Sequence, residues 1–132
     1  MNLSENVANS QIRGNTVIST VATNPSTLTQ DELYFGTSLP DGKSIAEDQW
    51  QQFLNDEITP HFREGLTVVD GYGQYLDSSG TLLREKTKLV ILIYEPSPSR
   101  EKAIQEIMQK YKQKFQQESV LRVTNEVRAT FF

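Results

Sequence analysis

Leu89, Val90, Ile91, Leu92, Ile93 and Tyr94, entered from Lys88, form the longest apolar run in the chain. The run is rich in β-branched residues, far too short to span a membrane, and closed by Glu95 and Pro96. Such a run reads as a strand buried on both faces, and Pro suits its end. Four further patterns surround it. Leu33 to Leu39 alternate as a strand before the turn residues Pro40, Asp41 and Gly42. Ser44 with Glu47 fits a capping box, and Ala46, Trp50, Phe53, Leu54 and Ile58 recur at helical spacing, with Pro60 ending the helix near Thr59. Leu66 to Tyr75 predict a second strand, which Asp77, Ser78, Ser79 and Gly80 turn back into a third running from Thr81 to Tyr94.

Ser97 before Pro98 predicts the start of a second helix, with Ala103, Ile104, Ile107, Met108, Tyr111 and Phe115 on its apolar stripe and Lys110, Lys112 and Lys114 near its C-terminus. Val120 to Val123 and Val127 to Phe132 predict a fourth strand, bulged around Asn125 and Glu126. The order strand, helix, strand, strand, helix, strand predicts an α+β fold. It is the ferredoxin-like βαββαβ arrangement, a four-stranded antiparallel sheet with two helices on one face. In it the first and third strands are central, which suits the apolar run. Residues 1–30, rich in Asn, Ser, Thr and Gln, read as a flexible or loosely docked leader, and residues 31–132 as the domain. Within the leader, residues 16–21 have strand composition and are expected to pair with a sheet edge.

Composition narrows the chemistry. The chain has 132 residues, no cysteine and a net charge of -4, which excludes disulfides and thiolate chemistry and argues against nucleic acid bound on a broad basic face. No metal site, cofactor or membrane span is expected. No secretory signal is visible at Met1, so the expectation is cytoplasmic, with a periplasmic location the alternative for a trimmed chain. Both faces of the third strand are apolar, while helices cover one. The other needs a second copy of the chain, the leader or a ligand, and a sheet-to-sheet homodimer is the expected cover.

Candidate site residues come from the hairpin. A four-residue loop over residues 77–80 would set Tyr72 opposite Glu85, Gln74 opposite Leu83 and Asp70 opposite Thr87. Tyr72, Gln74, Glu85 and Tyr94 are then expected to line the polar end of a ligand pocket. The plainer reading is an exposed hairpin tip. The lone His61 and the pair Arg63 and Glu64 read as surface loop, Trp50 as core, and Arg122 as paired with Glu118 or Glu126. The expected function is a dimeric small-molecule-binding protein, compatible with catalysis. The alternative is a non-catalytic interaction or regulatory module.

Several stretches add a resemblance. They are residues 31–36, Asp-Glu-Leu-Tyr-Phe-Gly; residues 59–62, Thr-Pro-His-Phe; residues 65–68, Gly-Leu-Thr-Val; residues 71–74, Gly-Tyr-Gly-Gln; residues 84–89; residues 111–115; and residues 117–121. In this order they resemble a family of small bacterial domains of unknown function. The resemblance covers residues 31–132 and implies no activity. Many relatives carry an export or lipoprotein signal, which this chain does not display.

Overall fold

The computed structural model describes residues 26–132, together with the backbone of Ile12–Arg13 and Thr16–Val17. In chain order the elements are β1 (Ser26–Gly36), α1 (Glu47–Phe53), β2 (Thr67–Leu76), β3 (Leu82–Tyr94), α2 (Pro98–Phe115) and β4 (Leu121–Ala129). The sheet runs β2-β3-β1-β4 and every pairing is antiparallel, so the chain has the expected ferredoxin-like topology.

β3 sits between β2 and β1 because its alternation serves two surfaces. Lys88, Val90, Leu92 and Tyr94 are buried against the helices. Leu89 and Ile91 point to the open face and are half-buried. On the helix side, Phe35, Trp50, Phe53, Tyr111 and Phe115 pack ring against ring at centroid distances of 4.7–6.3 Å. Such tilted and edge-on aromatic contacts add to the burial of each ring. The Tyr111 hydroxyl donates to the Gly36 carbonyl at 2.6 Å, tying α2 to the end of β1.

Several expectations are corrected. β1 starts at Ser26, so residues 26–30 belong to the sheet and not to a leader. Thr16–Val17 pairs with Ile12–Arg13 and not with a sheet edge, while residues 18–21 lie outside the described residues. Ser44 does not cap α1. Ser44 bridges Ser38, Ile45 N–H is taken by the Thr37 carbonyl, and the helix begins one residue after Ala46, whose N–H donates to Gln49 Oε1 at 3.1 Å. α1 runs on without a break as a π-helical turn over Leu54–Ile58 and a 3-10 turn over Thr59–His61. No bulge interrupts β4: Asn125 pairs with Gln30 and Glu126 with Thr29 in one continuous ladder. Both side chains are exposed, so the ladder carries them without burying a polar group.

The hairpin differs by one residue. Asp77 N–H donates to the Thr81 carbonyl at 3.0 Å and Gly80 takes a left-handed φ of 83°, so the loop is residues 78–80. A three-residue loop with a left-handed glycine is a favoured hairpin closure. Tyr72 therefore opposes Lys86, Gln74 opposes Arg84, Asp70 opposes Lys88 and Gly73 opposes Glu85.

Candidate functional site

The hairpin projects past the end of β1, because β1 stops at Gly36 opposite Thr87 while β3 begins five residues earlier at Leu82. The chain after β1 folds back on itself: Leu39 N–H donates to the Lys43 carbonyl at 2.7 Å, and Gly42 turns at a φ of 84°. Between this loop, the start of α1 and the inward face of the hairpin lies an open cleft of about 1010 Å³. Thr37, Ser44, Ile45 and Glu47 form one wall, Asp70, Gly71 and Tyr72 the other, and Arg84, Lys86 and Lys88 come from β3 between them.

Lys88 closes the inner end of this cleft. Its side chain is only 11% exposed, and its ammonium donates to Glu47 Oε2 at 2.8 Å and to Asp70 Oδ1 at 2.5 Å. Burial alone lowers the Lys88 pKa, but the bonds to Asp70 and Glu47 outweigh it and the net shift is upward. Glu47 is held below the ordinary carboxylate value, first by the Lys88 hydrogen bond and then by Gln51. One cation is thus shared by a helix and an edge strand, and both carboxylates remain largely open to the cleft, at 63% and 78% exposure. Period-two alternation already puts Lys88 in step with Val90, Leu92 and Tyr94, so a cation at an inward position was visible in the sequence.

The residues expected to form one site are dispersed. Tyr72 lines the cleft and is 71% exposed. Glu85 reaches the same cleft from the opposite face, and its Oε2 accepts Ser38 N–H at 2.9 Å. Its Oε1 would lie 2.7 Å from a Cβ at residue 36, so glycine there leaves room for the carboxylate. Gln74 accepts from Arg84 Nε at 2.7 Å, further out on the hairpin. Tyr94 is at the far end of β3 and takes no part in this cleft. A second cleft, of about 760 Å³, lies beside Tyr34, Gly36, Gly73, Tyr75 and Glu85.

Tyr94 belongs to a different polar cluster, one that sequence reasoning missed. Asp31 is completely buried in β1. Its Oδ2 accepts from the Tyr94 hydroxyl at 2.5 Å and Arg122 Nη2 at 3.0 Å, and its Oδ1 from Arg122 Nε at 3.1 Å and Thr124 Oγ1 at 2.5 Å. Four donors fill the lone-pair positions of a carboxylate, so this group holds strands together and has no acceptor left for a ligand. Arg122 also binds Glu101 at 2.7 and 2.9 Å, which corrects the expected pairing with Glu118 or Glu126. Glu64 is likewise no solvated loop residue: its Oε1 lies 2.6 Å from Arg100 Nη2 in an ion pair.

Sequence comparison matches residues 30–131 to the family described as protein of unknown function (DUF3574). The chain belongs to this family. No curated protein matches it. Two solved structures share its fold. A phage SAM lyase in complex with S-methyl-5'-thioadenosine is 18% identical with a TM-score of 0.58, covering 78% of this chain and 89% of that one. The same enzyme's apo state, also 18% identical, gives a TM-score of 0.57 over 79% and 90%. This family member thus shares a backbone plan with that lyase. Among its described residues no helix is long and apolar enough to cross a membrane.

Proposed function

We propose that the protein binds a small nucleoside-like molecule in the cleft between the hairpin and residues 37–47. The observation that carries this reading is the shielded Lys88 ammonium, clamped by Glu47 and Asp70 at the inner end of a cleft that also offers an exposed aromatic ring at Tyr72. Shielded charge beside an open cavity is costly unless it is paired, and it marks a candidate binding site. The ring gives a base a face to stack on. Support also comes from the shared fold: the lyase with that fold was solved with S-methyl-5'-thioadenosine. The plainer reading of the Lys88 cluster is a strut that ties α1 to β2.

Calorimetric titration with S-methyl-5'-thioadenosine and with S-adenosylmethionine tests the reading. Binding is expected, and Tyr72→Ala should weaken it about tenfold, since base–aromatic stacking is worth roughly 1–3 kcal/mol. Absence of binding at millimolar ligand would leave only the strut.

A second reading, an interaction surface for another copy of the chain, is favoured by the open face. Val69, Leu89, Tyr34 and Leu121 are direct neighbours in one row across all four strands. Val69 and Leu121 are exposed. The two readings use different faces of one sheet and can both hold.

A further inference from the structure

The charges around the cleft are sorted by sign from its inner end to the hairpin tip. Arg84, Lys86 and Lys88 occupy successive inward positions of β3, so their Cα atoms are spaced by roughly 7 Å per step. At the inner end two carboxylates, Glu47 and Asp70, share the single Lys88 ammonium and leave an excess of one negative charge. Towards the tip the balance reverses. Arg84 is bound through Nε to the neutral Gln74, and Lys86 has no carboxylate within ion-pair distance among the described residues. Glu85 is the remaining acid on the cleft wall, and one of its oxygens is engaged by Ser38 N–H. The cleft is therefore a dipole, negative at its inner end and positive towards the hairpin tip.

Resting on the small-molecule reading above, we infer that the ligand is a zwitterion: its cationic centre lies against Glu47 and Asp70, and its carboxylate lies against Lys86 and Arg84. A polarised cleft gains from a ligand of matching polarity and gives a neutral one nothing in return for desolvating these groups. Among sulfur-bearing nucleosides, this selects a molecule with a sulfonium centre and an amino-acid arm over one with neither.

Three probes separate the two ends of the dipole. S-adenosylmethionine carries both the sulfonium and the carboxylate. S-adenosylhomocysteine keeps the amino-acid arm, a carboxylate beside its own ammonium, and loses only the sulfonium charge, so the step between these two probes reads the sulfonium against Glu47 and Asp70 alone. S-methyl-5'-thioadenosine has neither. Calorimetric Kd values on the full chain should rise in that order, by about tenfold per step, the worth of one modest charge contact. Lys86→Gln with Arg84→Gln should collapse the preference for S-adenosylhomocysteine over S-methyl-5'-thioadenosine to within about twofold, and Glu47→Gln should collapse that for S-adenosylmethionine over S-adenosylhomocysteine. Ratios between ligands measured on the same variant are insensitive to a fraction of misfolded protein. Equal affinities for all three probes on the unaltered chain would overturn the zwitterion and leave the nucleoside reading standing. No binding of any probe would overturn both.

Discussion

Asp31 and Lys88 are both charged and both shielded on the helix side of the sheet, yet their removal should have unequal effects. Asp31 is entirely buried and is the common acceptor for Arg122, Tyr94 and Thr124. Asp31→Ala leaves Tyr94, Thr124 and the Nε edge of Arg122 without an acceptor, while Glu101 still pairs the guanidinium charge, so a loss of about 3 kcal/mol in denaturant stability is expected. Lys88→Met keeps the apolar stem and strands two carboxylates that face solvent, so its cost should stay near 1 kcal/mol, as for exposed pairs. Equal losses in the two variants would contradict this account. Tyr94 adds a pH dependence. Its hydroxyl is pushed up from 10.0 to about 12, first by burial and then by its bond to Asp31, against the pull of Arg122. Folding thus favours the protonated form, and that stabilisation is complete below pH 10.0 and lost as pH rises through about 12. Tyr94→Phe should flatten this alkaline decline in a series of urea melts. It should not abolish it, because Tyr111 is also raised, by burial and then by the charge of Glu85.

At the scale of elements, the caps make the sharper prediction. Ser97 Oγ accepts Arg100 N–H at 3.2 Å, and Pro98 follows at the first helical position. Ser97→Ala should cost about 1 kcal/mol, which for a domain of this size lowers the melting midpoint by about 4 °C. Ser44→Ala should leave the midpoint in place, since Ser44 lies before α1 and caps nothing. A shift for Ser44 and none for Ser97 would reverse the assignment. The contrast also shows what was legible. Ser97 and Pro98 act locally, so their pattern was sufficient, as was the apolar run that became β3. Ser44 with Glu47 has the same local signature, but a tertiary bond from Ile45 to Thr37 holds that segment out of the helix. Hairpin register turned on whether Gly80 closed a loop of three residues or of four, and the one-residue difference sent Glu85 to the face opposite Tyr72. Tyr72 and Glu85 still meet at one cleft because the loop after β1 comes round to both. The Asp31 cluster joins residues up to 93 positions apart, and no spacing in the sequence announces such a contact.

At the scale of the molecule, the open face of the sheet sets the last expectation. Helices occupy the side carrying Leu33, Phe35, Val90 and Leu92. The other side presents the row Val69, Leu89, Tyr34 and Leu121, with Ile91 and Val123 in the next register and Tyr75 towards the tip. Tyr34 donates to Glu32 at 2.6 Å, which keeps the polar end of the ring occupied within its own strand. A second copy can cover such a face with an identical one, since two sheets pack about 10 Å apart and a stable interface needs about 800 Å² from each partner. The protein is therefore expected to sediment as a dimer at micromolar concentration. Leu89→Glu places a charge at the centre of the row without touching the helix-side core, so it should yield a monomer with an unchanged circular dichroism spectrum. One control and two outcomes discriminate. Lys102→Glu, on the exposed side of α2, should leave the dimer intact. If the unaltered chain sediments as a monomer across the accessible range, the face is not a self-interface. If Leu89→Glu stays dimeric, the copies meet elsewhere, and the two long edge strands β2 and β4 become the surfaces to test.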